Sequence, residues 1–283
     1  MLAHRRFHTV EGLCRGLGIS RSGYYAWLKR PPSKRKKRNQ KLLRAIVRLH
    51  QKYPSLGLDS MYHILKHNFS CSRGRVHRLM KRAGIRSVRK AGFKITTNSR
   101  HKLPIAPNLL KRNFHVDKPN TAWVSDITYI RTSEGWLYLA IAKDLCTRKV
   151  VGYACSASID TDLVLEALHM ALRRQKPPKG LIFHSDRGIQ YASHRFRQAL
   201  ELAGIRQSMS RKGDPYDNAV AENFFSCIKC EALHLMTFLT RAQAACAVFS
   251  YIEAFYNTVR PHSAIGWMAP TKFEEMISSS TAA

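Results

Sequence analysis

Positive charge in this chain is gathered at one end. Residues 1 to 120 hold 30 Lys and Arg against 3 Asp and Glu, whereas residues 121 to 283 hold 18 against 15. The first stretch therefore carries +27 of the formal +30. With so few acids it cannot neutralise itself by internal ion pairs, so its cations must point to solvent or to an outside polyanion. Nucleic acid is the usual partner, because binding releases condensed counterions. A ribosome-like basic tail, or contact with an anionic membrane surface, is the alternative reading. The nearly neutral second stretch is where acid-dependent chemistry has to lie. At 45% hydrophobic and 23% charged residues the composition is globular, and the length suits about two domains.

The basic half reads as helices joined by basic segments. Residues 10 to 30 suit a small helix-turn-helix-like segment (1–33) with a Gly-Ile-Ser turn, Ser20 or Ser22 capping the second helix. Residues 31 to 38, PPSKRKKR, read as a basic linker that ends that helix. From residue 40 to 86, apolar residues recur at helical spacing (Leu42, Leu43, Ile46, then Met61, Ile64, Leu65, then Val76, Leu79, Met80), predicting three helices in an all-α, DNA-binding arrangement. Arg73, Arg75, Arg78, Lys81 and Arg82 surround the apolar seam of the last one, as expected of a helix laid against phosphates. Residues 87–118 lack periodicity and are expected to form an extended basic linker tracking DNA.

In the second half, Trp123–Arg131 and Trp136–Lys143 suit antiparallel strands joined by a Ser-Glu-Gly turn, and Lys149–Ser156 a third. A helix over 163–174, a strand over 181–185, a helix over 193–203 and an edge strand over 205–210 follow, and residues 241–257 suit a long final helix. The pattern is α/β. No run of 18 apolar residues occurs and the start has no signal-peptide core, so a cytoplasmic, nucleoid-associated protein is expected, without membrane contact. Seven scattered cysteines point to reduced thiols. Cys227, Cys230 and His234 share a helical face, but a structural zinc takes four ligands and no second pair follows.

Three acids sit in settings that differ from the rest. Asp126 lies inside a strand-like run and Asp186 ends another; Glu222 opens a helix whose Phe224, Phe225 and Ile228 fall on the opposite arc. Gly213 and Pro215 break the chain before this helix, with Asp214 or Asp217 as candidate caps. Two aspartates on strands and a glutamate on a helix can make an all-oxygen site for a hard divalent cation. Asp144, Asp160, Asp162, Asp214 and Asp217 are assigned to turns and caps.

Glu222 follows Asp186 with 35 residues between them, and the runs WVSDITYI (123–130), WLYLAIAKDLCTRKVVGYA (136–154), HSDRGIQYAS (184–193), GDPYDNAVAENFFSCIKCE (213–231) and YNTVRPHSAIGWMAP (256–270) occur in order. Over most of residues 40 to 275 the chain resembles the DDE polynucleotidyl transferases. Within them it is similar to the second-reading-frame subunit of IS-three-type bacterial insertion sequences, relatives of retroviral integrases. The resemblance implies a ribonuclease-H-like mixed five-stranded sheet with covering helices over 119–283, as an integrase catalytic core. It implies a transposase that cleaves DNA and joins the freed 3′-hydroxyl to another strand, with Asp126, Asp186 and Glu222 holding two magnesium ions, for which manganese can substitute. The implied partners are element-end and target DNA, further copies of the chain, and the upstream reading-frame product as a frameshift fusion or partner. Lys229, two helical turns after Glu222, and Arg260 and His262 would contact DNA, with closing the fold the other reading of the last two. His184 and Asn218 would lie just behind the acids, His184 within reach of the scissile phosphate, and Gln190 or Tyr191 could touch DNA. The family carries a Tyr-Gly-Tyr-Arg-like turn where this chain has Leu56-Gly57-Leu58-Asp59. A non-catalytic DNA-binding regulator of the element, or a ribonuclease-H-like nuclease without strand joining, are the competing functions.

Overall fold

In the computed structural model, residue 4 and residues 7–89, 103–211 and 215–281 are described. Strand β1 (Ala122–Thr132) is the axis of the second half. It pairs antiparallel with β2 (Gly135–Asp144), β2 pairs antiparallel with β3 (Val150–Ser156), and β4 (Ile182–Ser185) and β5 (Arg206–Met209) continue parallel on the other side. The order is β3-β2-β1-β4-β5, the mixed five-stranded sheet expected.

Side chains alternate between the faces of a strand, and β1 uses both. Trp123 joins Phe183, Leu168, Tyr191 and Phe196 in one core layer beneath the helices Thr161–Gln175, Ile189–Ala192 and His194–Leu202. Val124 and Ile130 join Ile141, Phe224, Ile228 and Ile252 in the other. Asp126 has the parity of Val124 and pairs in register with Ile141, so it faces the second layer, the one that contains the helix Ala219–Glu231.

The basic half holds α-helices Val10–Gly16 and Arg21–Lys29, the latter capped by Ser20 as anticipated, then Lys34–Lys52, Leu58–Leu65 and Arg73–Arg82. Numbered along the chain, these are α1 to α5; the helices named above are α6 (161–175), α7 (189–192), α8 (194–202) and α9 (219–231), with α10 at Arg241–Phe249 and α11 at Pro270–Thr281. Among the described residues no helix is long and apolar enough to cross a membrane.

Three expectations are corrected. Most of the stretch read as a basic linker, 31 to 38, is helix: Ser33 accepts from the Lys36 amide at 3.2 Å and opens α3, so the prolines precede a helix instead of a free segment. The helix predicted for 241–257 keeps α-geometry only to Phe249, passes into a π-helical stretch Ser250–Tyr256, and is followed by α11, so it is not the final one. The described part of the linker is not free to track a ligand: Leu110 is buried, and the Leu109 and Leu110 amides donate to Ser208 Oγ at 2.9 and 3.4 Å. Residues 90–102 of that linker lie outside the described residues.

Gly152, on edge strand β3, shows how closely the α6 layer approaches the sheet. A Cβ there would stand 2.2 Å from the Ala167 carbonyl oxygen and 2.7 Å from the Ala171 nitrogen, both backbone of α6. Backbone cannot swing aside as a side-chain tip can, so Gly152→Ala is expected to destabilise the chain by about 2 kcal/mol or more in urea unfolding. Unchanged stability would mean that α6 rides loosely on the sheet.

Candidate active site

Asp126 projects from the middle of β1 with its Oδ1 accepting from the Ile127 amide at 2.8 Å. Asp186 follows the last residue of β4, where its Oδ1 accepts from the Gly188 amide at 3.0 Å. A Cβ on Gly188 would lie 3.1 Å from that oxygen, so glycine lets the turn close on the carboxylate. Glu222 stands exposed in the first turn of α9, while Phe224, Phe225 and Ile228 are buried, the division the helical wheel predicts.

Electrostatics join the three. Burial, then Asp186, then Glu222 push the Asp126 carboxyl well above the ordinary carboxylate range, opposed by the Ile127 amide and by Lys229. Glu222 is raised by loss of surrounding water and then by Asp186. Carboxylates that disfavour one another's charge are close neighbours without an adequate counter-charge. Among the described residues, however, no three His, Cys, Asp or Glu side chains are already arranged to hold a metal ion.

Lys229 is half-buried in the last turn of α9, its ammonium 5.5 Å from the centre of the Tyr129 ring; burial pulls it below the ordinary lysine range, with Asp126 opposing. Asn218, at the N-cap position of α9, makes no capping bond with its side chain. Its Nδ2 instead donates to the Ser125 carbonyl at 3.1 Å, tying the start of the Glu222 helix to the residue before Asp126. His184 does not reach for a phosphate. Fully buried, it is held between Ser208 Oγ at 2.8 Å on Nδ1, and Ser210 Oγ at 3.2 Å and the Asp217 carbonyl at 3.0 Å on Nε2. Tyr191 is likewise buried, 2.8 Å from Ser125 Oγ, and so is removed from any DNA surface; Gln190 Nε2 donates to the Ile159 carbonyl at 3.2 Å.

Asp217 lies in the short 3-10 turn Pro215–Asn218, but its side chain caps no helix. It is buried and receives Arg211 Nε at 3.1 Å, Arg112 Nε at 2.8 Å and Asn108 Nδ2 at 2.9 Å, as well as the Arg211 amide at 2.9 Å. Arg211 foremost holds its carboxyl well below the ordinary range. Sequence reasoning missed Asn108, Arg112 and Arg211. Two of them lie more than a hundred positions from their partner, where no spacing rule reaches.

Of the other residues expected at DNA, Arg260 turns inward. Its Nε and Nη2 donate to the Glu231 carboxylate at 2.9 and 2.8 Å, and Nη2 also lies 3.3 Å from Cys227 Sγ, an arrangement that closes the fold. His262 packs edge-on against Tyr256 at 4.7 Å. In α5, Arg73 pairs with Asp59 and Arg75 Nε donates to Asn39 at 2.8 Å, whereas Arg78, Lys81 and Arg82 are exposed.

Removing the Asp217 charge leaves Arg112 and Arg211 without their acceptor, so Asp217→Asn is expected to cost about 2 kcal/mol at neutral pH, below a fully buried pair because both arginines are partly exposed. A carboxyl lowered on folding stabilises above its unfolded pKa, and that contribution drains as pH falls toward the folded value. The gap between variant and wild type in urea unfolding is therefore expected to shrink on acidification below about pH 4. A gap that stays constant with pH would assign the loss to packing.

Comparison with known proteins fits this layout. The Integrase core domain family matches residues 116–215, with a second Integrase core domain match over 203–270, and an HTH-like domain matches 37–92. An insertion element IS600 uncharacterized 31 kDa protein of Shigella sonnei is 43% identical over 267 residues, 93% of this chain and 97% of the relative. The transposase InsF for insertion sequence IS3A of Escherichia coli strain K12 is 38% identical over 277 residues, 96% of both chains. Among solved structures, the catalytic core domain of BIV integrase aligns at 17% identity and a TM-score of 0.42, covering 58% of this chain and 99% of that one. With an integrase-type core, a helical HTH-like region and this identity along nearly its whole length, the chain belongs to the IS3 family of insertion-sequence transposases.

Proposed function

We propose that this chain cleaves DNA at the ends of its insertion element and joins the freed 3′-hydroxyl to a target strand, with Asp126, Asp186 and Glu222 as its metal-holding residues. The observation that carries the reading is the convergence of three carboxylates from β1, the end of β4 and the first turn of α9 into one mutually repelling group. The donor set is all oxygen and doubly suited to a hard cation: it supplies anionic ligands, and binding relieves their repulsion. Two magnesium ions bound there, or manganese in their place, would supply an activated oxygen nucleophile and neutralise charge on the phosphodiester.

The protein residues have separate tasks in this scheme. Asp126, on the central strand, would hold the metal together with Asp186 and Glu222. Asn218 keeps the α9 start registered on β1 while DNA presses on the site, an orienting role of the kind hydrogen-bonded neighbours of metal ligands play. Lys229, about 10 Å along the helix from Glu222, holds a phosphate beside the scissile one. DNA is the partner, and further copies of the chain and the upstream reading-frame product, as a frameshift fusion, complete the assembly on it.

Strand transfer of labelled duplexes carrying the element's terminal repeats, in magnesium, tests the assignment. Asp126→Asn, Asp186→Asn and Glu222→Gln are each expected to lose activity by roughly a thousandfold or more while retaining the fold and DNA binding. Each variant is also expected to lose the magnesium-dependent rise in melting temperature that wild type gains by preferential binding to the folded state. Activity within about tenfold of wild type removes that residue from the site. Cleavage without joining in wild type would make the chain a nuclease.

Lys229 is separable from this group. Lys229→Ala is expected to slow joining about tenfold, the loss of one charge-assisted phosphate contact, with the metal requirement of the residual activity unchanged. Lys229→Arg keeps the charge and retains most activity. Equal loss in both would place the role of Lys229 in packing on Tyr129.

A further inference from the structure

Where α3 begins to cross α5, the two helices part around a cleft of about 220 Å³. Arg35 and Lys36 line it from the first turn of α3 and Arg82 from the last turn of α5, with Gln40 between and Leu43 and Leu79 as the floor. Every charged residue lining it is a cation. Asn39, also on its wall, accepts from Arg75 Nε at 2.8 Å and fixes the spacing of the helices at that point. The nearest acid of this module on the page, Asp59, is engaged by Arg73.

Three cations brought to one cleft repel each other unless an anion enters, and the fold places them there from two separate helices. The volume lies below the roughly 300 to 1,000 Å³ of small-molecule sites, which argues for a single phosphate group over a nucleotide or cofactor. On α5, Arg78 and Lys81 are exposed as well. A chain of phosphates, one seated and its neighbours along α5, matches that layout.

We propose that this cleft is a phosphate-seating site for the DNA backbone, formed by Arg35, Lys36 and Arg82, which fixes how the helical module sits on the duplex. The site rests on the reading of the chain as a DNA-acting transposase and adds to α5 a contact from the first turn of α3, apart from the carboxylate site. It reads no bases, because its ligand is the sequence-independent part of the duplex.

Salt-dependent binding of the full chain to a fluorescein-labelled random-sequence duplex, followed by anisotropy, tests the proposal. Arg35→Ala with Arg82→Ala is expected to weaken binding at about 0.1 M salt by tenfold or more and to reduce the slope of log affinity against log salt by about 2. Arg35→Gln with Lys36→Gln, confined to an exposed helix turn, is expected to act in the same way and guards against misfolding of the first pair. The comparison is Arg44→Ala with Arg48→Ala, which removes equal charge from exposed positions of α3 outside the cleft and is expected to cost clearly less. Equal losses in cleft and control pairs would reduce the cleft to general charge and overturn the site. Full affinity in both cleft pairs would overturn it as well. A wild-type chain that binds the duplex without salt dependence would overturn the DNA-acting reading itself.

Discussion

The seam between β1 and α9 is the constraint on which the site depends. Val124 on β1 and Phe224, Phe225 and Ile228 on α9 belong to one buried layer, and burying them fixes the helix against the central strand. Glu222 is carried along by that packing. A carboxylate that repels Asp126 would otherwise drift to solvent, so hydrophobic burial, at about 2 kcal/mol for each large side chain, holds together charges that oppose it. Lys143 on β2 is buried beneath the Phe224 and Tyr256 rings at 5.8 and 5.5 Å, and desolvation pulls it down to about 7.

Polar braces surround the seam. Asn218 ties α9 to Ser125, His184 ties β4 to β5 and to the Asp217 carbonyl, and Asp217 gathers Arg211, Arg112 and Asn108. At the far end of α9, Glu231 receives Arg260 and Arg89 at 2.8 and 3.1 Å and Tyr251 Oη at 2.8 Å. Both ends of the helix are thus anchored by buried carboxylates that hold arginines from the basic half. Such groups are costly to leave unpaired, so the anchors also dictate where residues 89 and 112 must lie.

The two halves share apolar contacts too. Tyr53 stacks on Phe255 with centroids 4.7 Å apart, and His63 lies parallel to Trp267 at 4.5 Å. These contacts join the end of α3 and α4 to the π-helical stretch and the chain that follows it.

The α/β pattern was legible because apolar alternation and helical spacing are local properties of strands and helices, whereas the five-stranded sheet came from the family resemblance and its strand order only from the structure. The wheel position of Glu222 was legible for the same reason. Ser20 and Asp160 declared themselves as caps through short-range chemistry. What the sequence could not decide was which polar residues meet. Asp217 read as a cap, His184 as a candidate phosphate contact and Arg260 as a candidate DNA contact until the fold supplied partners from distant segments. The basic run at residues 31–38 read as linker because its charges mask any apolar periodicity, although Ser33 caps a helix that begins at Lys34. Periodicity reports the face that a residue occupies. Only the tertiary structure decides what stands opposite that face, because pairing distant charges requires chain closure that no local pattern records.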